Sequence, residues 1–362
     1  MDKKRVMGLD FIRFLAILFV PSVHYFLYNG FYSHLVFDNV SDILLLIFRN
    51  LFYICVPLFL LLTGYLSKNA KLNMDYFYKF FRIFISYLII SIIVLIFRIL
   101  YLDLDISKSE ILYGFLSFEI NPYAWYVEMY LGLFLLIPFL NLIYNNITKI
   151  QKKVLIGILM FLTSLASITN NLMFHGVATN IFPDWWIDIY PITYFFIGKY
   201  LCDFPLKISK LKTLIISLLI LFLHSLLIFV FCLHTNFDWG IFGGYNNLFT
   251  LILAVMIFSI FVNMNLKNKK LNKSITMISL VSFEMYLISY VFDNLYYTII
   301  KVEYNGVLSY LINYFYYIPL VFISSFICAY VINKITVILY VKLKPIYDKI
   351  INIIKSSKLF KV

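Results

Sequence analysis

Apolar runs of roughly 18 residues or more, the length at which a helix crosses a hydrocarbon core of about 30 Å, recur from one end of this chain to the other. Ten are apparent, at about 9–28, 43–66, 80–101, 124–144, 153–170, 186–202, 211–233, 246–264, 274–297 and 307–332. Short polar breaks separate them, and no long hydrophilic stretch remains to build a soluble domain. Composition agrees: 63% of the 362 residues are hydrophobic and 13% are charged, with a mean hydropathy of +0.91. A soluble domain is about a quarter charged. The expected fold is therefore all-α, a polytopic integral membrane protein of about ten transmembrane helices. A single membrane domain over 1–340 and a basic cytoplasmic tail over 341–362 complete the expectation.

The net charge of +12 follows the breaks between these runs. Lys3, Lys4 and Arg5 precede the first run, and Lys68, Lys71, Lys79 and Arg82 lie between the second and third. With the alternate breaks that follow and seven lysines after the last run, 25 of the 30 basic residues fall on one side. The opposite loops hold Lys108 and Lys301 beside nine acidic residues, among them Asp105, Glu110, Asp238 and Glu303. By the positive-inside rule both termini are cytoplasmic, so the charge reports topology and not a nucleic-acid partner. The basic start resembles a secretory signal, but Asp10 and Arg13 interrupt the first run and no small-residue cleavage site follows, so it reads as a retained helix. Cys55, Cys202, Cys232 and Cys328 sit in or at the ends of apolar runs, without metal-ligand spacing. His34, His175, His224 and His234 lack it too, so no metal is expected. Abundant Ile, Lys, Asn and Tyr with scarce Ala and Gly resemble an AT-rich bacterial genome, which makes a bacterial plasma membrane the expected location.

Within the first run, "LDFIRFLAILFVPSVHYF" carries Arg13 and His24 eleven positions apart. Eleven residues of helix turn through about 1100°, so the two side chains share a stripe roughly 16 Å long. Such charges either face a protein interior or cavity, or snorkel to the headgroups, and spacing alone leaves both open. Asp10, three residues before Arg13, is a candidate partner for it. Pro21 either kinks the helix and frees carbonyls beside a cavity or is an ordinary membrane-helix proline.

The same stretch resembles the first helix of the membrane acyltransferase family 3, in which an arginine or lysine precedes an essential histidine by ten intervening residues. "CVPLFLLLTGYLSK" (55–68), "FYKFFRIFISYL" (77–88), "YAWYVEMYLGLFLLIPFL" (123–140), "YFFIGKYL" (194–201) and "SFEMYLISY" (282–290) resemble later family segments in the same order. Where relatives often end the last of these motifs with histidine, the "YLISY" of this chain has Ser289, which is given no role. No esterase-like domain is expected to follow the helices, as one does in some relatives.

The resemblance implies a membrane O-acyltransferase that moves an acyl group, most directly acetyl from acetyl-CoA, to a hydroxyl of an exported or lipid-linked polysaccharide. Arg13, Lys79 and Arg82 become candidates for the phosphate end of acyl-CoA, since guanidinium forks bind phosphate in two places at once. His24 becomes the catalytic candidate, as general base or as acyl carrier. Acetyl-CoA is then a donor substrate and no permanently bound cofactor is implied; membrane lipid and the glycan are the other partners. A succinyl donor is the variant within this class, and a polysaccharide exporter or flippase without chemistry is the alternative outside it. The oligomeric state, homodimer included, is left open.

Arg49, Arg98, Glu128 and Glu284 also fall within apolar runs, where a bare charge is costly enough to require partners. Arg49 and Glu128 share the depth of His24, so Glu128 is expected to orient His24 or to pair with Arg49 as a plain ion pair. Glu284, nearer mid-membrane, serves a tunnel or locks its helix. Trp125, Tyr126, Trp185, Trp186 and Trp239, with Asn121, Asp184 and Asp238, suit a sugar acceptor or an ordinary interfacial aromatic belt.

Overall fold

The computed structural model describes residues 5–165, 169, 173–174, 177–178, 182–240, 242–299 and 306–356. His175, Lys301 and Glu303 lie outside them. The regular elements among these residues are helices joined by loops, apart from a hairpin in which Met173–Phe174 pairs antiparallel with Val177–Ala178. The helices are α1 (Met7–Tyr28), α2 (Asp42–Tyr53), α3 (Cys55–Leu66), α4 (Met74–Leu100), α5 (Lys108–Leu116), α6 (Trp125–Asn145) and α7 (Lys149–Met160). Then follow α8 (Asp184–Ile187), α9 (Tyr190–Asp203), α10 (Lys210–Phe231), α11 (Leu248–Phe261), α12 (Lys269–Leu280), α13 (Ser282–Ile299) and α14 (Val307–Ser356).

The polar breaks between apolar runs supply the caps that start these helices. Asn73, Ser209, Asn247 and Asn268 accept from the first free backbone N–H groups of α4, α10, α11 and α12. Ser107 with Glu110, and Thr148 with Gln151, close reciprocal capping boxes at α5 and α7. Pro57 has no N–H to offer the Tyr53 carbonyl, and the chain breaks at Ile54 between α2 and α3.

Among the described residues, six helical segments are long and apolar enough to cross a membrane: α1, Asp42–Leu66, Tyr76–Leu100, α6, α10 and Val307–Lys349. A seventh exists if α12 and α13, bent by 73° at their junction, count as one span. The remaining expected runs are shorter. Run 153–170 becomes α7 with a π-helical turn over Phe161–Leu165; 186–202 and 246–264 become the 14-residue helices α9 and α11.

Burial tells the inner helices from the outer ones. In the most apolar window of Asp42–Leu66, 67% of residues are buried, and 56% in α1, against 33% in α4, α10 and α14. α1 is central, packed against α2, α3, α12, α13 and α14. Helix α9 lies directly on α3 because two glycines leave the backbones bare at the crossing. A Cβ on Gly64 would overlap the Phe195 carbonyl oxygen, and one on Gly198 would overlap that of Leu61.

The boundary expected at residue 340 falls inside α14, which runs about 75 Å and so outreaches a hydrocarbon core. Its far end is docked on the start of α4: Tyr347 stacks on Phe81 at 4.1 Å between centroids, and Tyr78 hydrogen-bonds Asp348.

Candidate functional site

Helix α1 carries His24 one turn before its end, facing α13 and the segment that leads into α6. Its Nδ1 lies 2.8 Å from Asp293 Oδ2. Tyr123 donates to the same oxygen at 2.6 Å, and its ring lies 4.0 Å from the imidazole. Asp293 is wholly buried on α13. Burial, and then the neighbouring Asp293 carboxylate, holds the Tyr123 phenol well above its ordinary pKa, so it remains a neutral donor. A carboxylate facing Nδ1 selects the tautomer protonated there and leaves the Nε2 lone pair free.

His24 borders a cavity of about 280 Å³ whose other walls include Tyr32, Tyr53, Trp125, Trp239 and Tyr245. A second cavity of about 270 Å³ holds Arg13, with Thr63, Ser67, Ile83, Tyr126 and Tyr130. Val20, Val56 and Tyr286 line both, so the two abut end to end along α1 and α3. Arg13 therefore faces a cavity rather than snorkelling. Its Nη1 donates to Ser279 at 3.0 Å. Asp10 takes Arg5 and Ser279 as its close partners and stands 3.8 Å from Arg13. Pro21 lines neither cavity: it lies with Met285 and Phe322, and α1 runs through it unbroken.

The expected role of Glu128 is corrected. Glu128 is exposed on the first turn of α6, while the carboxylate on His24 is Asp293. Arg49, fully buried, donates instead to Tyr32 Oη at 3.1 Å, Asn50 Oδ1 at 3.0 Å and the Gly243 carbonyl at 3.0 Å. Its guanidinium also packs on the rings of Tyr53, Phe237 and Trp239, at 3.9, 4.6 and 5.2 Å from their centroids. Burial pushes the Tyr32 phenol up, with Arg49 opposing.

Glu284 locks helices and lines neither cavity. Its Oε1 accepts from Ser86 of α4 at 3.0 Å and Asn333 of α14 at 2.8 Å. Lys79 and Arg82 are exposed on α4 and line neither cavity; the α4 residue in the Arg13 cavity wall is Ile83. Trp125 and Trp239 border the His24 cavity and Tyr126 the Arg13 cavity, whereas Trp185 and Trp186 face outward. Asn121 serves the backbone, bonding the Leu287 carbonyl and the Tyr123 N–H, and Asp238 accepts from Gly240 N within its own turn. Arg98 donates to the carbonyls of Glu119 and Ile120. No group of His, Cys, Asp or Glu among the described residues is arranged to hold a metal ion.

Sequence reasoning misses Asp293 and Tyr123. The signal that singles out Glu284, a carboxylate inside an apolar run, holds equally for Asp293 in "ISYVFDNLY". Tyr123 carries no comparable signal among thirty tyrosines.

A family model described as an acyltransferase domain matches residues 7–334, which takes in both cavities and every residue of the His24 cluster. The chain belongs to the membrane acyltransferase family 3. Comparison with curated proteins and with solved structures found no match. This acyltransferase is an enzyme of the membrane, with several apolar helices around its two-part cavity.

Proposed function

We propose that the enzyme is a multi-pass O-acyltransferase of the bacterial plasma membrane, using an acyl-CoA, most directly acetyl-CoA, to esterify a hydroxyl of an exported or lipid-linked polysaccharide. Ten membrane-embedded helical segments, the short α7, α9 and α11 among them, and both termini in the cytoplasm complete this reading. The observation that carries it is that the two cavities abut, sharing Val20, Val56 and Tyr286 as walls, with a guanidinium in one and an imidazole in the other.

An anionic nucleotide joined by a slender arm to a thioester matches that geometry. Arg13 meets phosphate, Lys79 and Arg82 attract the donor electrostatically, and the thioester arrives beside His24. The aromatic walls around His24 offer apolar faces to a sugar ring. As the acceptor oxygen bonds to the thioester carbonyl carbon, His24 Nε2 takes the hydroxyl proton; as the carbon–sulfur bond breaks, the imidazolium returns it to the departing thiolate. Asp293 fixes the ring and favours its transient positive charge, and Tyr123 holds Asp293 in place.

The test is His24→Gln. Acetate on the cell-surface glycan of a deletion strain should be restored by the wild type and not by the variant, and purified variant should still bind CoA, whose phosphates lie at Arg13. Normal glycan acetylation by His24→Gln would overturn the mechanism.

A further inference from the structure

The Arg13 cavity ends, away from His24, at Leu66 and Ser67, the last turn of α3. Just beyond it the α3–α9 packing assembles four lysines. Asn141 of α6 donates to the Ser67 carbonyl at 2.8 Å and accepts from Lys199 Nζ. Lys199, 1% exposed, also reaches the Lys68 carbonyl at 3.5 Å and lies over the Tyr144 ring at 4.6 Å. Lys152 lies over the same ring at 4.2 Å, and Lys149 over Phe204 at 4.4 Å. The carboxylate in this group is Asp203, 3.5 Å from Lys68. The hydrogen-bond partners of Lys199 are all neutral, so four ammonium groups face one carboxylate and the cluster keeps a net positive field.

Its placement adds to that field. Lys149 and Lys152 occupy the first turn of α7, where the helix dipole is itself positive. Lysines there oppose the helix and favour a bound anion. The run of α3 from Val56, beside His24, to Ser67 is eleven residues or about 16 Å, the same reach as from Arg13 to His24. A donor whose thioester is at His24 and whose diphosphate is at Arg13 has one anionic group left over, the 3′-phosphate on its ribose, beyond the Arg13 end.

Resting on the acyl-CoA reading above, we propose that Lys68, Lys149 and Lys152 form the seat of the donor's 3′-phosphate, with the buried Lys199 adding its charge from behind them. A phosphate monoester carries nearly two negative charges at neutral pH, which suits several ammonium groups around one site. The anchor is thus on the α3, α7 and α9 side of the cavity mouth, and Lys79 and Arg82 on α4 act only by attraction.

The test measures binding of acetyl-CoA and of 3′-dephospho-acetyl-CoA to the full chain in neutral detergent, for the wild type and for the doubly substituted Lys149→Gln, Lys152→Gln chain. The wild type should prefer acetyl-CoA by about tenfold or more. The variant should lose that preference while binding the dephospho compound as the wild type does, a double-mutant cycle between side chain and phosphate. Both substitutions lie at the surface end of α7, and unchanged dephospho-compound binding reports an intact fold. A variant that keeps the full preference overturns the seat, as does a wild type that binds both donors equally. If the wild type binds both equally and the variant instead loses co-purified phosphatidylglycerol, the lysines hold a lipid headgroup and the proposal is wrong. A wild type that binds neither donor removes the acyl-CoA reading itself.

Discussion

Asp293 and His24 are 269 positions apart in the chain and 2.8 Å apart in space, the carboxylate wholly buried and the imidazole open to a cavity. Their contact joins α13 to α1 at the level of the aromatic walls. It sets which ring nitrogen is free.

Asp293→Asn should keep the fold and most of the hydrogen bonding while removing the charge that favours imidazolium. Acyl transfer should fall by about 10²–10⁴ with acetyl-CoA binding within twofold of wild type. Transfer at the wild-type rate would remove Asp293 from the mechanism.

Glu128→Gln should leave acyl transfer within about twofold of wild type, because the exposed Glu128 makes no contact with His24 and its charge on the first turn of α6 stabilises that helix by about 0.3–1 kcal/mol through the dipole. Assayed beside Asp293→Asn, it separates the two carboxylates at one depth. A loss comparable to that of Asp293→Asn would reinstate Glu128 at the site.

Gly198→Ala should lower the thermal midpoint, since the new Cβ overlaps the Leu61 carbonyl and α9 must move off α3. Overpacking of this kind costs about 1–3 kcal/mol. Gly157→Ala is the control: on α7 no atom lies within 4 Å of where its methyl group would sit, and replacing a helical glycine is favourable by up to about 1 kcal/mol. Equal midpoints for the two variants would contradict the close crossing.

In a background without native cysteines, Asp105→Cys and Asp238→Cys should react with an impermeant thiol reagent applied to intact cells, and Lys269→Cys should not. Labelling at Lys269 from outside reverses the orientation drawn from the charge distribution.

What could be seen in the sequence divides along local and non-local lines. Arg13 and His24 share a stripe because eleven residues of one helix fix their angle, and the structure places them in abutting cavities. Polar breaks foretell the caps for the same reason: Ser107 and Glu110 need only each other. Level along the bundle is also partly legible, since the segment holding Tyr123, Trp125 and Glu128 does lie beside His24. Depth does not fix rotation about the helix axis: Val127 is buried and Glu128, next to it, points outward. Choosing Asp293 over Glu128 needs the packing of α13 on α1, set by contacts across most of the chain. Hydropathy likewise finds α9 and α11 but overstates their length, because inner helices are apolar all round whether or not they cross.

Two valines and a phenol ring, Val20, Val56 and Tyr286, stand where the two cavities meet. A wall of such groups wets poorly, so an ion entering either cavity meets a dry barrier there, and on the acyl-CoA reading the groove between them admits only a thin, uncharged arm. On that reading the catalyst passes a group along the bundle without becoming a leak, because its own cargo fills the space it travels through.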